Sequence, residues 1–108
     1  MTALIALCTC PDRESARTLA LSLVEARLAA CVNLLPGVES VYRWQGAVEQ
    51  SEEVQLVIKT GADRLEALKS HILAHHPYEL PEILAVEVGS GLDRYFAWID
   101  DATRPAAS

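Results

Sequence analysis

Residues 31–60 read CVNLLPGVESVYRWQGAVEQSEEVQLVIKT, and this stretch decides the fold. Val32 and Leu34 alternate with Asn33, and beyond a Pro36-Gly37 kink Tyr42 and Trp44 alternate with Val41 and Arg43. A period of two over β-branched and aromatic residues marks a strand with two unlike faces. Gln45-Gly46-Ala47 supplies a turn, and Val54 to Thr60 returns as a second strand. The product is a long, bent β-hairpin, with Pro36 placed at a bulge because it has no amide hydrogen to give to a ladder. Such a hairpin leaves a row of unpaired backbone groups along its edge, so strands of another subunit are expected to cover it.

Working outward, Ala3 to Thr9 is an almost unbroken apolar run, as suits a strand covered on at least one face. A helix is expected over residues 11–29. Pro11 has no hydrogen bond to lose in a first turn, and Asp12 and Glu14 lie near the positive end of the dipole. Ala16, Leu19, Ala20, Leu23, Val24 and Leu28 recur at helical spacing, while Arg13, Arg17 and Glu25 fall on the opposite side. A second helix is expected over residues 62–75, with Leu65, Leu68 and Ile72 on its buried stripe and an end where Pro77 restricts His76. Ile83 to Val88 reads as the last strand, and Tyr95, Phe96, Trp98 and Ile99 mark a short C-terminal helix. The order β-α-β-β-α-β is the split βαβ arrangement, an α+β, ferredoxin-like class with two helices on one face of a four-stranded antiparallel sheet. One domain is expected over residues 1–102, with residues 103–108 as a frayed tail.

The chain has 108 residues, 51% apolar and 22% charged, which fits one globular domain. Its formal net charge of −6, with no Lys/Arg cluster, argues against nucleic acid as a partner. The first residues carry no basic leader and no apolar run reaches bilayer length, so a soluble cytoplasmic protein without a membrane partner is expected. Three cysteines, an odd number, read as reduced thiols. A domain this small also gains from association, and an oligomer is expected.

Thr9-Cys10-Pro11-Asp12, Leu28-Ala29-Ala30-Cys31-Val32-Asn33, Val41-Tyr42-Arg43-Trp44, Ile58-Lys59-Thr60 and His76-Pro77-Tyr78-Glu79-Leu80-Pro81-Glu82-Ile83 together resemble the CutA family. These strings follow the family's order and spacing over nearly the whole chain, up to about Asp101. The resemblance implies a protomer similar to that of PII signalling proteins and a homotrimer in which long hairpins pair between subunits. It also implies a link to tolerance of divalent cations, copper especially.

Several side chains could carry chemistry. Cys31 opens a strand, and the compact loop after the second helix supplies His76, Tyr78 and Glu82. Thiolate with imidazole suits soft or borderline metals, with affinity peaking at copper(II) and copper(I) favouring thiolate further. Cys31, His76 and Glu82 are therefore the candidate metal ligands, a divalent ion such as copper is the expected cofactor, and a half-buried structural thiol is the alternative for Cys31. Pro77 and Pro81 stiffen the loop between His76 and Glu82. Tyr42 and Trp44 share a strand face, and with Lys59 they are expected to line a ligand cleft shared with Cys31, with Tyr78 nearby. Trp44 reads better as an interface anchor. In Cys8-Thr9-Cys10 the thiols are read as projecting to opposite faces, with Cys8 in the core and Cys10 open to either role. His71 and His75 are four apart, at helical spacing, but two ligands make a weak site and they read as solvated side chains.

Three functions compete: a metal-binding tolerance protein, a PII-like signalling module binding a small ligand or partner protein at intersubunit clefts, and an enzyme with Cys31 as nucleophile and His76 as base. The second lacks a glycine-rich phosphate loop. The third lacks an oxyanion donor, and no enzymatic activity is expected.

Overall fold

A computed structural model describes residues 2–105. Strand β1 (Ala3–Cys10) lies inside a four-stranded sheet of order β2-β3-β1-β4, in which β2 spans Cys31–Trp44, β3 Ala47–Gly61 and β4 Leu84–Glu87. Every neighbouring pair is antiparallel. Helices α1 (Arg13–Glu25), α2 (Leu65–His75) and α3 (Asp93–Ala102) complete a mixed α/β fold. Alternate residues of the two inner strands, Ala6, Cys8, Cys10, Leu56 and Ile58 among them, pack in one apolar core with Leu19 and Leu23 of α1 and Leu68 and Ile72 of α2. On the opposite sheet face Ile5, Leu7 and Val57 are half-buried, and Leu84 and Val86, their neighbours in register with Leu7 and Ile5, are exposed. Ala3, Ala30 and Ile99 form a second, smaller apolar cluster that seats α3.

The first helix is shorter than its apolar spacing predicts. Asp12 is the N-cap, its carboxylate accepting from the Ser15 amide at 2.8 Å, so Pro11 precedes the helix. One short polar side chain suited to capping, Asp12, follows Pro11, and the cap chemistry overrides the preference of proline for the first turn. The helix stops because Arg27 adopts a left-handed φ of 59°, and the Leu28 amide reaches back to the Leu23 carbonyl at 2.9 Å. The second helix begins with a 3-10 turn over Ala62–Arg64 and ends at His76, whose extended ψ of 140° is what the following Pro77 demands.

The hairpin is longer than expected, because β3 starts at Ala47 rather than Val54. Gln45 and Gly46 both have positive φ, 49° and 81°, the pair of values that a two-residue turn between twisted strands requires. A register shift falls between Leu35 and Val38, at Pro36-Gly37 as expected, and Gly37 takes φ 77°. β4 is trimmed to four residues.

Two expectations are corrected. Thr103 and Arg104, assigned to a frayed tail, are held: Thr103 is fully buried with its hydroxyl donating to the Ile99 carbonyl at 2.8 Å, and Arg104 pairs with Asp63 at 2.8 Å. Residues 106–108 of that tail lie outside the described residues. Cys8 and Cys10 do not project to opposite faces. Residues two apart on a strand share a face, so both thiols point into the helix-covered core, where neither is exposed.

Candidate functional site

His76 is the hinge of the site because proline places it. Pro77 forces it out of the helix, and its imidazole, buried, turns back toward the end of β1. There Nε2 donates to the Thr9 carbonyl at 2.7 Å while Nδ1 accepts from the Tyr78 amide at 3.0 Å. An amide can only donate and a carbonyl can only accept, so the ring is neutral with its proton on Nε2. Nε2 also lies 3.7 Å from Cys10 Sγ. Cys8, Cys10 and His76 bring one ligand atom each within 4.8 Å of one another, the one such group of three among the described residues. The neighbouring Cys10 thiol first, then burial, pushes Cys8 up, and the neighbouring Cys8 draws Cys10 down.

The loop beyond His76 is pinned to β3. Tyr78 Oη donates to Glu53 at 2.7 Å, and its ring packs against the His76 imidazole at a centroid distance of 4.8 Å. Burial, then the Glu53 bond, pushes the Tyr78 hydroxyl up, so it stays a donor. Glu82 accepts from Gln55 Nε2 at 3.3 Å, and Gln55 also donates to the Cys8 carbonyl at 2.9 Å. Between this loop and the outer hairpin runs a groove of about 1050 Å³ lined by Tyr42, Trp44, Glu53, Tyr78 and Glu82 among others.

The structure therefore divides the residues expected in one site. Tyr42, Trp44, Tyr78 and Glu82 meet along the groove. Cys31 and Lys59 do not. They face each other across β2 and β3, where Lys59 Nζ reaches Cys31 Sγ at 3.9 Å and also donates to Asn33. The length of β2 between Cys31 and Tyr42, at about 3.3 Å per residue, is more than about 30 Å. The cleft expected to join the aromatics to Cys31 and Lys59 is thus not formed within one chain. Cys31 instead approaches Tyr95 of α3, whose hydroxyl is pushed up by burial first and the nearby thiol second. Within the subunit neither Cys31 nor Glu82 belongs to the cluster around His76, and the Cys31–His76 pairing of the enzymatic reading is not assembled. Cys8 and Cys10 take those places. The signal for them was present in the sequence as a two-residue step along one strand.

His71 and His75 stack at 4.2 Å; His75 is exposed as expected, whereas His71 is half-buried. Ser22 Oγ donates to the Leu19 carbonyl at 2.8 Å, so it accepts from His71 Nε2 at 2.9 Å. Burial first and His75 second push His71 down. A histidine with a lowered folded pKa adds stability that is present above its unfolded value of about 6.5 and is lost as pH falls through the folded value. Replacing His71 with Gln should accordingly flatten the loss of stability below pH 6.5 in denaturant titrations. An unchanged pH slope would show that another group is responsible.

The family described as CutA1 divalent ion tolerance protein matches residues 4–102. The chain is 46% identical over 102 residues to the divalent-cation tolerance protein CutA of Pectobacterium atrosepticum, covering 94% of this chain and 93% of that one. It is 46% identical over 96 residues to the chloroplastic protein CutA of Arabidopsis thaliana, but spans only 53% of that protein's length. Among solved structures, CutA of Xylella fastidiosa superposes with a TM-score of 0.92 at 46% identity, covering 94% of this chain and 98% of that one. CutA1 of Oryza sativa superposes with 0.94 at 39%, covering 98% and 97%. One further similar structure, from Archaeoglobus fulgidus, is described as periplasmic. Among the described residues no helix is long and apolar enough to cross a membrane.

Proposed function

The chain belongs to the CutA1 divalent ion tolerance family, and from that premise we propose that it serves cation tolerance by holding the ion itself, copper before other divalent metals, in a cytoplasmic homotrimer. The observation that carries this reading is His76, a buried imidazole 3.7 Å from a thiol sulfur. Imidazole with sulfur is the donor pair for which copper outcompetes the other common first-row ions. Of the ligands expected from the sequence, His76 is retained, and Cys31 and Glu82 serve the fold or the assembly. Trimer formation is supported by the open sheet face and by the arm of the hairpin, where Val41, Val48, Leu84 and Val86 are each more than half exposed. Apolar patches of that kind on a small chain mark an interface.

The groove supports a second reading, a signalling module of the PII kind whose ligand or partner protein sits against Tyr42, Trp44 and Tyr78. Calorimetric titration of reduced protein with copper(II) and zinc(II), alongside light scattering, separates the two. Saturable copper binding at micromolar concentrations or below, weakened in His76→Ala, by a particle of three 11.8 kDa chains supports the first reading. A stable monomer overturns the assembly, and a trimer that binds neither ion moves the function to the groove.

A further inference from the structure

Cys31 and Lys59 form a nucleophilic pair that cation binding at His76 does not use. They stand directly opposite each other in the β2–β3 ladder, and Lys59 Nζ lies 3.9 Å from Cys31 Sγ. Their neighbours Val32 and Ile58 pack on the helix-covered core, so both side chains of the pair project from the other sheet face. Lys59 is held on that side by donating to Asn33, and the Tyr95 hydroxyl of α3 approaches the same sulfur. Cys8 and Cys10 have no exposure, whereas Cys31 is half-buried. Partly exposed, electropositive surroundings are those in which cysteines react. No second thiol is available to Cys31 within the chain. Strand β3 separates it from β1, and the thiols of Cys8 and Cys10 point into the core. The nearest side chain able to capture an oxidised Cys31 is therefore an amine.

We propose that Cys31 is an oxidation site whose sulfenic acid is captured by Lys59, giving a reversible sulfur–nitrogen staple between β2 and β3. The oxidant is hydrogen peroxide. The Cys31 thiol and one peroxide become a sulfenic acid and one water, with sulfur losing the two electrons that cleave the oxygen–oxygen bond. Lys59 then gives one ammonium proton to solvent and attacks sulfur through the Nζ lone pair. The sulfur–nitrogen bond forms, the sulfur–oxygen bond breaks, and the hydroxyl leaves as water with a second proton from Nζ. The flexible lysine stem supplies the movement from 3.9 Å to bonding distance, at the cost of the contact with Asn33. Capture keeps sulfur from the irreversible sulfinic and sulfonic stages. Return takes two small thiols: the first attacks sulfur and releases the lysine amine, and the second reduces the mixed disulfide. The staple lies within one chain and needs only a small oxidant, so it depends neither on assembly nor on a bound ion.

The test treats the reduced full chain, in its solution oligomeric state, with hydrogen peroxide, alkylates the remaining thiols, and analyses a non-reducing tryptic digest by mass spectrometry. The lysine and arginine positions place Cys31 in the peptide 28–43, without another cysteine, and make Lys59 the end of the peptide 44–59. A modified Lys59 is not cleaved. The expected product is therefore 28–43 joined to 44–64 and lighter than their sum by two hydrogens, with loss of the peptide 44–59. Dithiothreitol should restore the separate peptides. In Lys59→Arg, folded by circular dichroism, the link should be lost and Cys31 should react instead with dimedone, which traps sulfenic acid. Three outcomes in the parent protein overturn the proposal: Cys31 staying a free thiol, Cys31 gaining oxygen while Lys59 is still cleaved, or a link from Cys31 to the Val32 backbone nitrogen. A link that persists in Lys59→Arg overturns Lys59 as the acceptor.

Discussion

Leu56→Ala is expected to lower the stability of each chain by about 3 kcal/mol. Leu56 has no exposure and stands midway along β3, opposite Cys8 on β1 and Leu34 on β2. Truncation loses the transfer free energy of the removed methyl and methylene groups and also leaves a cavity, and together these cost about 2–5 kcal/mol in well-packed cores. The site cannot collapse to recover much of that. Ladders on both sides hold the β3 backbone, and Leu23, Leu68 and Ile72 belong to the same core without any exposure. At fixed protein concentration, needed because association adds to apparent stability, the melting temperature should fall by more than about 10 °C. A loss below about 1 kcal/mol would mean that the sheet and helices are loosely packed.

Tyr78→Phe should cost about 1.5–3 kcal/mol, the worth of a hydrogen bond to a charged group. Glu53 is 7% exposed, and among the described residues its carboxylate is bonded only by the Tyr78 hydroxyl. Removing the hydroxyl strands a carboxylate, while replacing both partners need not, so Glu53→Gln combined with Tyr78→Phe should cost less than the sum of the singles. Because the folded hydroxyl resists ionisation, this contribution is complete below the unfolded value of about 10 and fades only as pH rises through the higher folded value. Equilibrium denaturation of the three variants measures the coupling. Additive costs would show that loop and strand do not depend on each other through this bond.

The parts of the fold legible in the sequence are those set by short-range rules. The apolar run of β1, the helix stop before Pro77 and the turn at Gln45-Gly46 each depend on a few adjacent residues. Helix α1 misled at both ends for a related reason: its apolar spacing runs on to Leu28, but Arg27 turns left-handed and Leu28 reaches the core from the loop. The site was legible only in part. His76 declared itself through its proline, but its partners come from a strand 66 positions away, a pairing that no local pattern encodes. Cys8 and Cys10 share a face by the same alternation that marks the hairpin, because residues two apart on a strand point the same way. Cys31 looked like a ligand because it opens a strand near helix α1, yet sheet order sets it opposite Lys59 and two strands from β1.

The extra residue at Pro36-Gly37 acts as a change of phase. Leu35 lies opposite Gln55, but Val38 lies opposite Glu53, so β2 advances three positions while β3 advances two. Odd-numbered residues of β2 share a face with odd-numbered residues of β3 before the bulge, and even-numbered ones do so after it. Tyr42 and Trp44 are even, and this inversion alone puts them on the side of Glu53 and the groove rather than on the side of Leu34 and the helices. Deleting Gly37 would restore the original phase and send both rings to the other side along with every side chain of the arm. One residue with no side chain of its own thus determines which surface of this protein is aromatic.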